Sequence, residues 1–514
     1  MEGSTDQKVQ KEGRVGAVRP FDESGVTRGA DGVLRYDDLP PTIGAMFLAT
    51  ATANPDAEAI VELDGRRLTY GELHAEAGAV AGGLAAAGIE PGDRVAIILP
   101  NGAEWVVAFF GAVLAGAVVV PVNTRLAEPE IDYILEDSGA SYVFRPGESL
   151  PSGDPVDRAS SEPTDLAAIC YTSGTTGRPK GAMLSHENFM ANCETCRRIM
   201  HFPRQIAIRN LVSVPLFHVT GLNSQLLITV WFGGTTVIMP AFEVQRFLRA
   251  IEEERIDVLT SVPAIFWLAM SQPAFAETDV SSVRWLTYGG APMPPDVIAK
   301  LRSEFPNARL GNGFGLTETS SVSTFLPHEY CDVRPETVGF AAPVIELDLF
   351  EESDGVGELL IRGQNVVAGY WNKPEQSAET FVDHWLHTGD LARIDADGYV
   401  QIVDRKKDMV NRGGENVYCV EVENALAQHP DVFEVAVVGV PDSMMGEKVG
   451  AVIVPTPGAA PDAAEVARFA RTLLADFKVP QYVAFRDEPL PRNPNGKVLK
   501  PVLREHTEWG DPLR

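Results

Sequence analysis

LAAICYTSGTTGRPKG, residues 166–181, begins as an uninterrupted apolar run and ends in glycines, hydroxyl side chains and a lysine. A continuous apolar run of this length reads as a strand buried inside a sheet covered on both faces. The segment after it, with Thr172, Ser173, Gly174, Thr175, Thr176, Gly177 and Lys180, is suited to a polyphosphate. Glycines let backbone N–H groups approach an anion, hydroxyls donate to non-bridging oxygens, and the ammonium adds charge. It is not a Walker A loop, because Lys180 is followed by Gly181 where that loop carries Ser or Thr. A solvated surface loop has the same composition, so taken alone the run leaves both readings open.

On both sides of the loop, helical patterns alternate with short apolar strands. Thr69 and Glu72 form a Thr-x-x-Glu capping box that opens an Ala-rich helix stopped by Gly88. Strands follow at 95–99 (VAIIL), 118–122, 235–239, 258–262 and 285–288. This alternation predicts an α/β architecture. Residues 145–165, rich in Pro, Ser, Gly and Asp, read as a loop that ends one unit. A second boundary lies near Asp404, after which a helix over 421–428 and a strand over 435–440 suggest a small α+β domain. The predicted organisation is a flexible leader over 1–38, a large multi-subdomain N-terminal α/β domain over 39–404 and a small C-terminal α+β domain over 405–514.

A chain of 514 residues needs roughly two to four structural units. Apolar residues at 45% and charged residues at 22% place most of it in the ordinary globular class. A net charge of -28 repels phosphate backbones and anionic lipid, which argues against nucleic acid as a partner. Five cysteines, few and odd in number, suit reduced thiols in a cytoplasm better than a disulfide framework. The amino terminus has no apolar stretch after its charges, so no secretory signal is expected. Residues 105–124 form an uncharged run near bilayer-spanning length, but Gly111, Gly116 and Pro121 interrupt it, and a buried helix turning into a buried strand is expected instead of a transmembrane segment.

Six further runs accompany the loop in chain order: PLFHVTG at 215–221, YGGAP at 288–292, NGFGLTE at 312–318, HTGD at 387–390, DRKKDMVNRGGENV at 404–417 and PNGK at 494–497. Together the seven resemble the signature of the adenylate-forming superfamily of acyl-CoA synthetases, luciferases and peptide-synthetase adenylation domains, from about residue 45 to the end. The resemblance implies activation of a carboxylic acid by ATP through an acyl-adenylate. Attack on the α-phosphate builds charge that cations must meet.

Residue by residue, the resemblance implies that Glu318 holds Mg²⁺ with Thr172 or Thr317 nearby, as a hard cation favouring oxygen ligands requires. Gly290, Ala291, Pro292, Asn312, Gly313, Phe314 and Gly315 would surround the nucleotide, with Phe314 standing where many relatives have Tyr: stacking survives and the phenol hydrogen bond does not. Asp390 and Arg405 match ribose contacts, and Lys497 matches the mobile lysine of the adenylation step. Lys407 aligns with the hinge about which the small domain swings, and Gly413 and Gly414 would leave room for the pantetheine arm of CoA. The segment before the phosphate loop is shorter than in many relatives.

For the acid, the resemblance places His218 at the acyl pocket with Leu222, Gly289 and Gly315. A packed core histidine is the ordinary alternative for His218. The pocket segments 218–224, 289–292 and 312–322 contain no Lys or Arg, so a second substrate carboxylate would be buried without a partner, and the glycines are expected to leave room. A hydrophobic monocarboxylate, medium-chain or aromatic, is therefore expected. The activity implied is an AMP-forming acid–CoA ligase, with ATP, Mg²⁺ and CoA required. A carrier-protein-loading ligase, a luciferase-like oxygenase and a non-catalytic nucleotide sensor are the rivals. Oligomeric state is open, a homodimer being one compatible assembly. Cys193 and Cys196 have redox or zinc spacing, but no second pair follows, and they read as incidental on a helix.

Overall fold

The computed structural model describes residues 13–513 except 15, 157, 160–161, 173–177, 205, 292 and 493–497. The chain divides into two compact units: Met1–Asp348 with Leu360–His387 and Asp395–Val400, and Leu349–Leu359 with Thr388–Ile394 and Gln401–Arg514. A single cut after Asp404 therefore does not describe the division. The second unit takes in two earlier excursions of the chain, and bonds inside it hold them: Gly389 N–H donates to Glu358 (3.0 Å) and so does Lys406 (3.1 Å), while Arg405 pairs with Asp390.

In the first unit, nine strands among the described residues form one sheet in the order Phe340–Ala341, Thr324–Leu326, Arg309–Phe314, Trp285–Gly289, Val258–Ser261, Arg209–Val212, Thr235–Ile238, Glu58–Glu62 and Arg67–Thr69. The run from Arg309–Phe314 to Glu58–Glu62 is parallel throughout. A second sheet has the order Tyr142–Phe144, Arg94–Ile97, Val118–Pro121, Leu166–Thr172, Lys180–Ser185. Strands such as Thr235–Ile238 are buried along their whole length, which is why they read as unbroken apolar runs.

Local chemistry sets the elements. Helix Tyr70–Ala86 starts where Thr69 accepts from Glu72 N–H and Glu72 returns the bond to Thr69 N–H, the reciprocal cap expected. The apolar run becomes buried helix Ala103–Leu114 and buried strand Val118–Pro121, and no helix of the described residues is long and apolar enough to cross a membrane. Residues 145–165 contain no helix or strand among those described, yet Gly153 N–H donates to Ala79 in helix Tyr70–Ala86 (2.9 Å).

The leader expectation needs correction over residues 13–38. Strands Val26–Arg28 and Leu34–Tyr36 pair as a hairpin, with Phe21, Val33 and Tyr36 buried. Composition understated this segment because its order comes from a few concentrated contacts. Arg28 and Arg14 reach the buried carboxylates of Glu346 (2.8 Å) and Asp348 (3.0 Å), and the Tyr36 hydroxyl meets Thr195 (2.9 Å).

The second unit has its own core. Strand Val432–Asp442 pairs antiparallel with Gly446–Pro455, which also pairs with Val410–Arg412 and, in parallel, with Tyr482–Phe485. Helices Cys419–Leu426 and Ala463–Arg471 bury Val422, Leu426, Val466 and Ala470 against Val437, Val449 and Ile453. The strand expected over 435–440 is the inner part of a longer one.

Candidate active site

The motif segments of the first unit meet at the carboxyl ends of parallel strands. Gly289 ends strand Trp285–Gly289 and leads into Gly290 and Ala291, while Asn312, Gly313 and Phe314 end the adjacent Arg309–Phe314, with Tyr288 opposite Asn312 and Gly289 opposite Gly313. His218 lies beyond the end of Arg209–Val212, which is separated from Trp285–Gly289 by the single strand Val258–Ser261. Ligands bind open α/β sheets at such ends, because helix N-termini and loops converge there. The strands on either side of the phosphate loop pair antiparallel, with Thr172 facing Lys180. Ser173, Gly174, Thr175, Thr176 and Gly177, together with Pro292 and Lys497, lie outside the described residues.

One aromatic side chain links the phosphate-loop lysine to the expected metal ligand. The Tyr370 hydroxyl donates to Glu318 Oε1 at 2.8 Å, and Lys180 Nζ lies 5.0 Å from the centre of the Tyr370 ring. Burial and the Glu318 carboxylate both push the phenol's pKa up, so Tyr370 is a proton donor at any physiological pH. Asp137 braces the same region: it accepts from the Tyr171 hydroxyl (2.8 Å) and pairs with Lys373 (2.9 Å), and its carbonyl takes the Trp371 indole N–H (3.0 Å). The bond to Asp137 raises the Lys373 ammonium above its ordinary value.

Glu318 and Thr317 sit on a short 3-10 turn, Thr317–Thr319, inside a strained loop. Ser320 and Ser321 have φ of 57° and 122°, in the left-handed region that side chains rarely adopt. Buried amides hold it there. Asn223 donates to the Ser320 carbonyl (2.8 Å), and Asn365 donates to the carbonyls of Thr319 and Val322 (2.8 Å each). Asn192 accepts from Val322 N–H (3.0 Å), and the Ser224 and Ser321 hydroxyls meet at 2.8 Å. Asn223 and Ser224 belong to a π-helical turn, Leu222–Leu227, a distortion often found where a helix serves a site.

Gly289 and Gly315, expected at the acyl pocket, are also sites of close backbone packing. A Cβ at Gly315 would fall 1.4 Å from the Ser321 carbonyl oxygen, and one at Gly289 would fall 2.2 Å from that of Gly313. These glycines let two backbones touch, and in the direction a side chain would take each meets chain. Leu222 is fully buried. His218 is half-buried at the N-cap of Val219–Gly221, its ring tilted 41° against Phe217 with centroids 4.8 Å apart. Cys193 and Cys196 are packed and bonded through their sulfurs to Asn223 (3.5 Å) and Ser224 (3.6 Å), and burial raises both thiols. Among the described residues no group of three or more His, Cys, Asp or Glu could hold a metal ion.

In the second unit, the two expected ribose ligands pair with each other: Arg405 Nε is 2.6 Å from Asp390 Oδ1, with Asp390 buried. Lys407 is exposed in the turn that follows strand Val400–Arg405. Buried Asp404 accepts the backbone N–H of Arg405 (2.7 Å) and of Cys419, tying that turn to helix Cys419–Leu426. Gly413 and Gly414 are the turn of a hairpin between Arg412 and Glu415, with φ of 61° and 93°. Two consecutive positive φ values define the type I′ turn, so backbone conformation alone demands glycine here. Lys500, three residues beyond Lys497, pairs with Glu423 at 2.7 Å.

The family description AMP-binding enzyme matches residues 47–152 and 145–371, and AMP-binding enzyme C-terminal domain matches 421–497. The chain belongs to the AMP-binding enzyme family. It is an enzyme of the AMP-forming acid–thiol ligase kind, with the adenylate-forming fold of a large N-terminal and a small C-terminal domain. Among its relatives, a feruloyl-CoA synthase of Amycolatopsis sp is 38% identical over 489 residues, covering 90% of this chain and 98% of that protein. The long-chain-fatty-acid–CoA ligase FadD13 of Mycobacterium tuberculosis is 36% identical over 499 residues, covering 90% and 98%. The o-succinylbenzoate coenzyme A synthetase MenE of Bacillus subtilis, solved with ATP and magnesium ion, superposes with a TM-score of 0.81 at 28% identity, covering 90% of this chain and 99% of MenE. ATP and CoA are substrates of this family of ligases.

Several residues that shape the site in this AMP-binding enzyme were not singled out from sequence. Asn192, Asn223, Asn365 and Asp137 act through tertiary hydrogen bonds across long stretches of chain, and no local pattern marks them. Tyr370 had a faint signal, an exposed-looking GYWN turn with two adjacent aromatics, which gave no hint that the ring lies between Lys180 and Glu318.

Proposed function

We propose that this enzyme activates a hydrophobic monocarboxylic acid with ATP and transfers the acyl group to the thiol of CoA, releasing AMP. The observation that carries it is the Tyr370 side chain joining Lys180, first residue of the strand after the phosphate loop, to Glu318, four residues beyond the end of parallel strand Arg309–Phe314. In the first half-reaction a carboxylate oxygen attacks the α-phosphorus, the bond to the β-phosphate oxygen breaks, and pyrophosphate leaves. Thr172, the loop residues Ser173–Gly177 and Lys180 hold the β- and γ-phosphates, and Lys497 meets charge on the α-phosphate. Asn312, Gly313, Phe314, Gly290, Ala291 and Pro292 surround the nucleoside, while the Asp390 carboxylate accepts from ribose hydroxyls beside Arg405.

Magnesium fits the donors present. Among the described residues Tyr370 is the one donor to the Glu318 carboxylate, which leaves Oε2 for a hard cation. A single carboxylate is enough, since Mg²⁺ completes its shell with water and substrate phosphate. Glu318 and Thr172 would hold it, and it would neutralise phosphoryl charge. In the second half-reaction the pantetheine sulfur attacks the acyl carbonyl carbon and AMP departs. We assign the acceptor side to the Gly413–Gly414 turn and the change between halves to rotation about Lys407.

His218 lies at the acid end. Support for an apolar acid is the lack of Lys and Arg in segments 218–224, 289–292 and 312–322, together with relatives named for feruloyl and long-chain acids. Five buried, free cysteines fit a reducing compartment, and we place the enzyme in the cytoplasm. The test is kcat/KM for acetate, malonate, octanoate and a cinnamate-like acid, each with ATP and Mg²⁺, with and without CoA. AMP and thioester from octanoate or the aromatic acid are expected. Adenylate without thioester would indicate a carrier-protein acceptor, light an oxygenase, and a preference for acetate or malonate would reject the apolar pocket.

A further inference from the structure

We propose that Tyr370 is a positioning residue of the adenylating half-reaction, holding the Glu318 carboxylate and the Lys180 ammonium apart and each in place. The proposal rests on the reading of Glu318 and Lys180 given above. Opposite charges this near each other tend to pair, and a direct Lys180–Glu318 ion pair would withdraw both from the phosphate and from the cation. Among the described residues these two form no ion pair with each other. Tyr370 occupies the place between them, its ring face toward Lys180 at 5.0 Å and its hydroxyl on Glu318 Oε1 at 2.8 Å. A ring face attracts a cation without neutralising it, and a phenol donor orients a carboxylate without cancelling its charge.

The ring is itself held in place. It is buried, and it lies edge-on to Phe381 with centroids 5.5 Å apart. Its backbone N–H donates to Ser377 Oγ (2.9 Å). Segment 367–371 is stitched to both partners' elements. Tyr370 bridges to Ala182, Met183 N–H donates to Gly369 (3.0 Å) and Trp371 N–H to Gly181 (2.8 Å), all along the strand that begins with Lys180. At its other end Val367 N–H donates to the carbonyl of Glu318 itself (3.0 Å). One short segment therefore sets the distance between the phosphate-loop strand and the Glu318 turn, and Tyr370 is its side chain that reaches both functional groups.

The experiment compares Tyr370→Phe, Tyr370→Leu, Glu318→Gln and the double variant Tyr370→Phe/Glu318→Gln in pyrophosphate exchange as a function of Mg²⁺, and in thioester formation from supplied acyl-adenylate and CoA. Losing the bond to a charged group predicts that Tyr370→Phe lowers exchange kcat roughly 10-fold and raises the half-saturating Mg²⁺ concentration several-fold. Thioester formation should stay within about twofold, because that step handles no polyphosphate. Tyr370→Leu also removes the face under Lys180 and should, unlike Tyr370→Phe, raise KM for ATP. In the Glu318→Gln background Tyr370→Phe should add less than about a twofold effect, the non-additivity expected of partners. Unchanged Mg²⁺ dependence in Tyr370→Phe, full multiplication of the two single effects, or parallel loss of both half-reactions overturns the proposal. If Glu318→Gln itself leaves exchange untouched, the assignment of Glu318 fails; if it collapses exchange while Tyr370→Phe is silent, only the positioning role fails.

Discussion

Gly414 shows how one residue answers to two demands. A Cβ there would meet nothing within 4 Å, so the site has space, yet φ of 93° strains any L side chain. Gly414→Leu is expected to block thioester formation while adenylate accumulates, and to cost roughly 1–2 kcal/mol of stability from the backbone. Gly414→Ala carries the same strain without the bulk. Thioester formation that survives in the alanine variant and fails in the leucine variant supports a pantetheine path; equal loss in both means that the hairpin turn alone explains the glycine. Lys497→Ala removes a charge needed only while the adenylate forms, so pyrophosphate exchange should fall by about 10²–10³-fold with thioester formation from supplied adenylate retained. Wild-type exchange in that variant would remove Lys497 from the mechanism.

At the scale of one element, helix His186–Ile199 ties the N-terminal helix Ile43–Ala53 to the core through a neutral histidine. His186 Nδ1 accepts from Ile43 N–H at 3.3 Å, and burial lowers its pKa from 6.5 to about 4. A group whose folded pKa is depressed binds more protons when unfolded. Its contribution is therefore present above pH 6.5 and is lost as pH falls toward 4, a linkage worth up to about 3 kcal/mol. Urea unfolding of wild type and His186→Gln between pH 7 and 4 should show a shallower loss for the variant; identical slopes would mean that His186 is not buried neutral. Helix starts of this kind were legible locally, as with Thr69 and Glu72, since a cap is a contact among near neighbours. The π-helical turn Leu222–Leu227 was not, and the bond its Asn223 makes reaches a carbonyl 97 residues away, outside any local window.

Across the whole molecule all five cysteines are buried and free, with Cys170 and Cys331 pushed up to about 12 and Cys196 to about 11 by burial. Thiolate is the reactive form, so the native enzyme at neutral pH should take up fewer than about one maleimide equivalent over minutes while the denatured chain takes five. Fast labelling of the native protein would contradict this burial. The α/β class, the order of the strands along the chain and the family were set by sequence alone, because apolar runs, caps and glycine-rich loops are short-range patterns that each declare their own chemistry. Long-range packing decided the rest. It placed Thr388–Ile394 and Asp390 in the second unit, drew residues 13–38 onto buried acids, brought backbone against Gly289 and Gly315, and set Tyr370 between Lys180 and Glu318. Each of those outcomes depends on which distant segment arrives alongside, a matter of chain closure and shape complementarity that no local window of sequence contains.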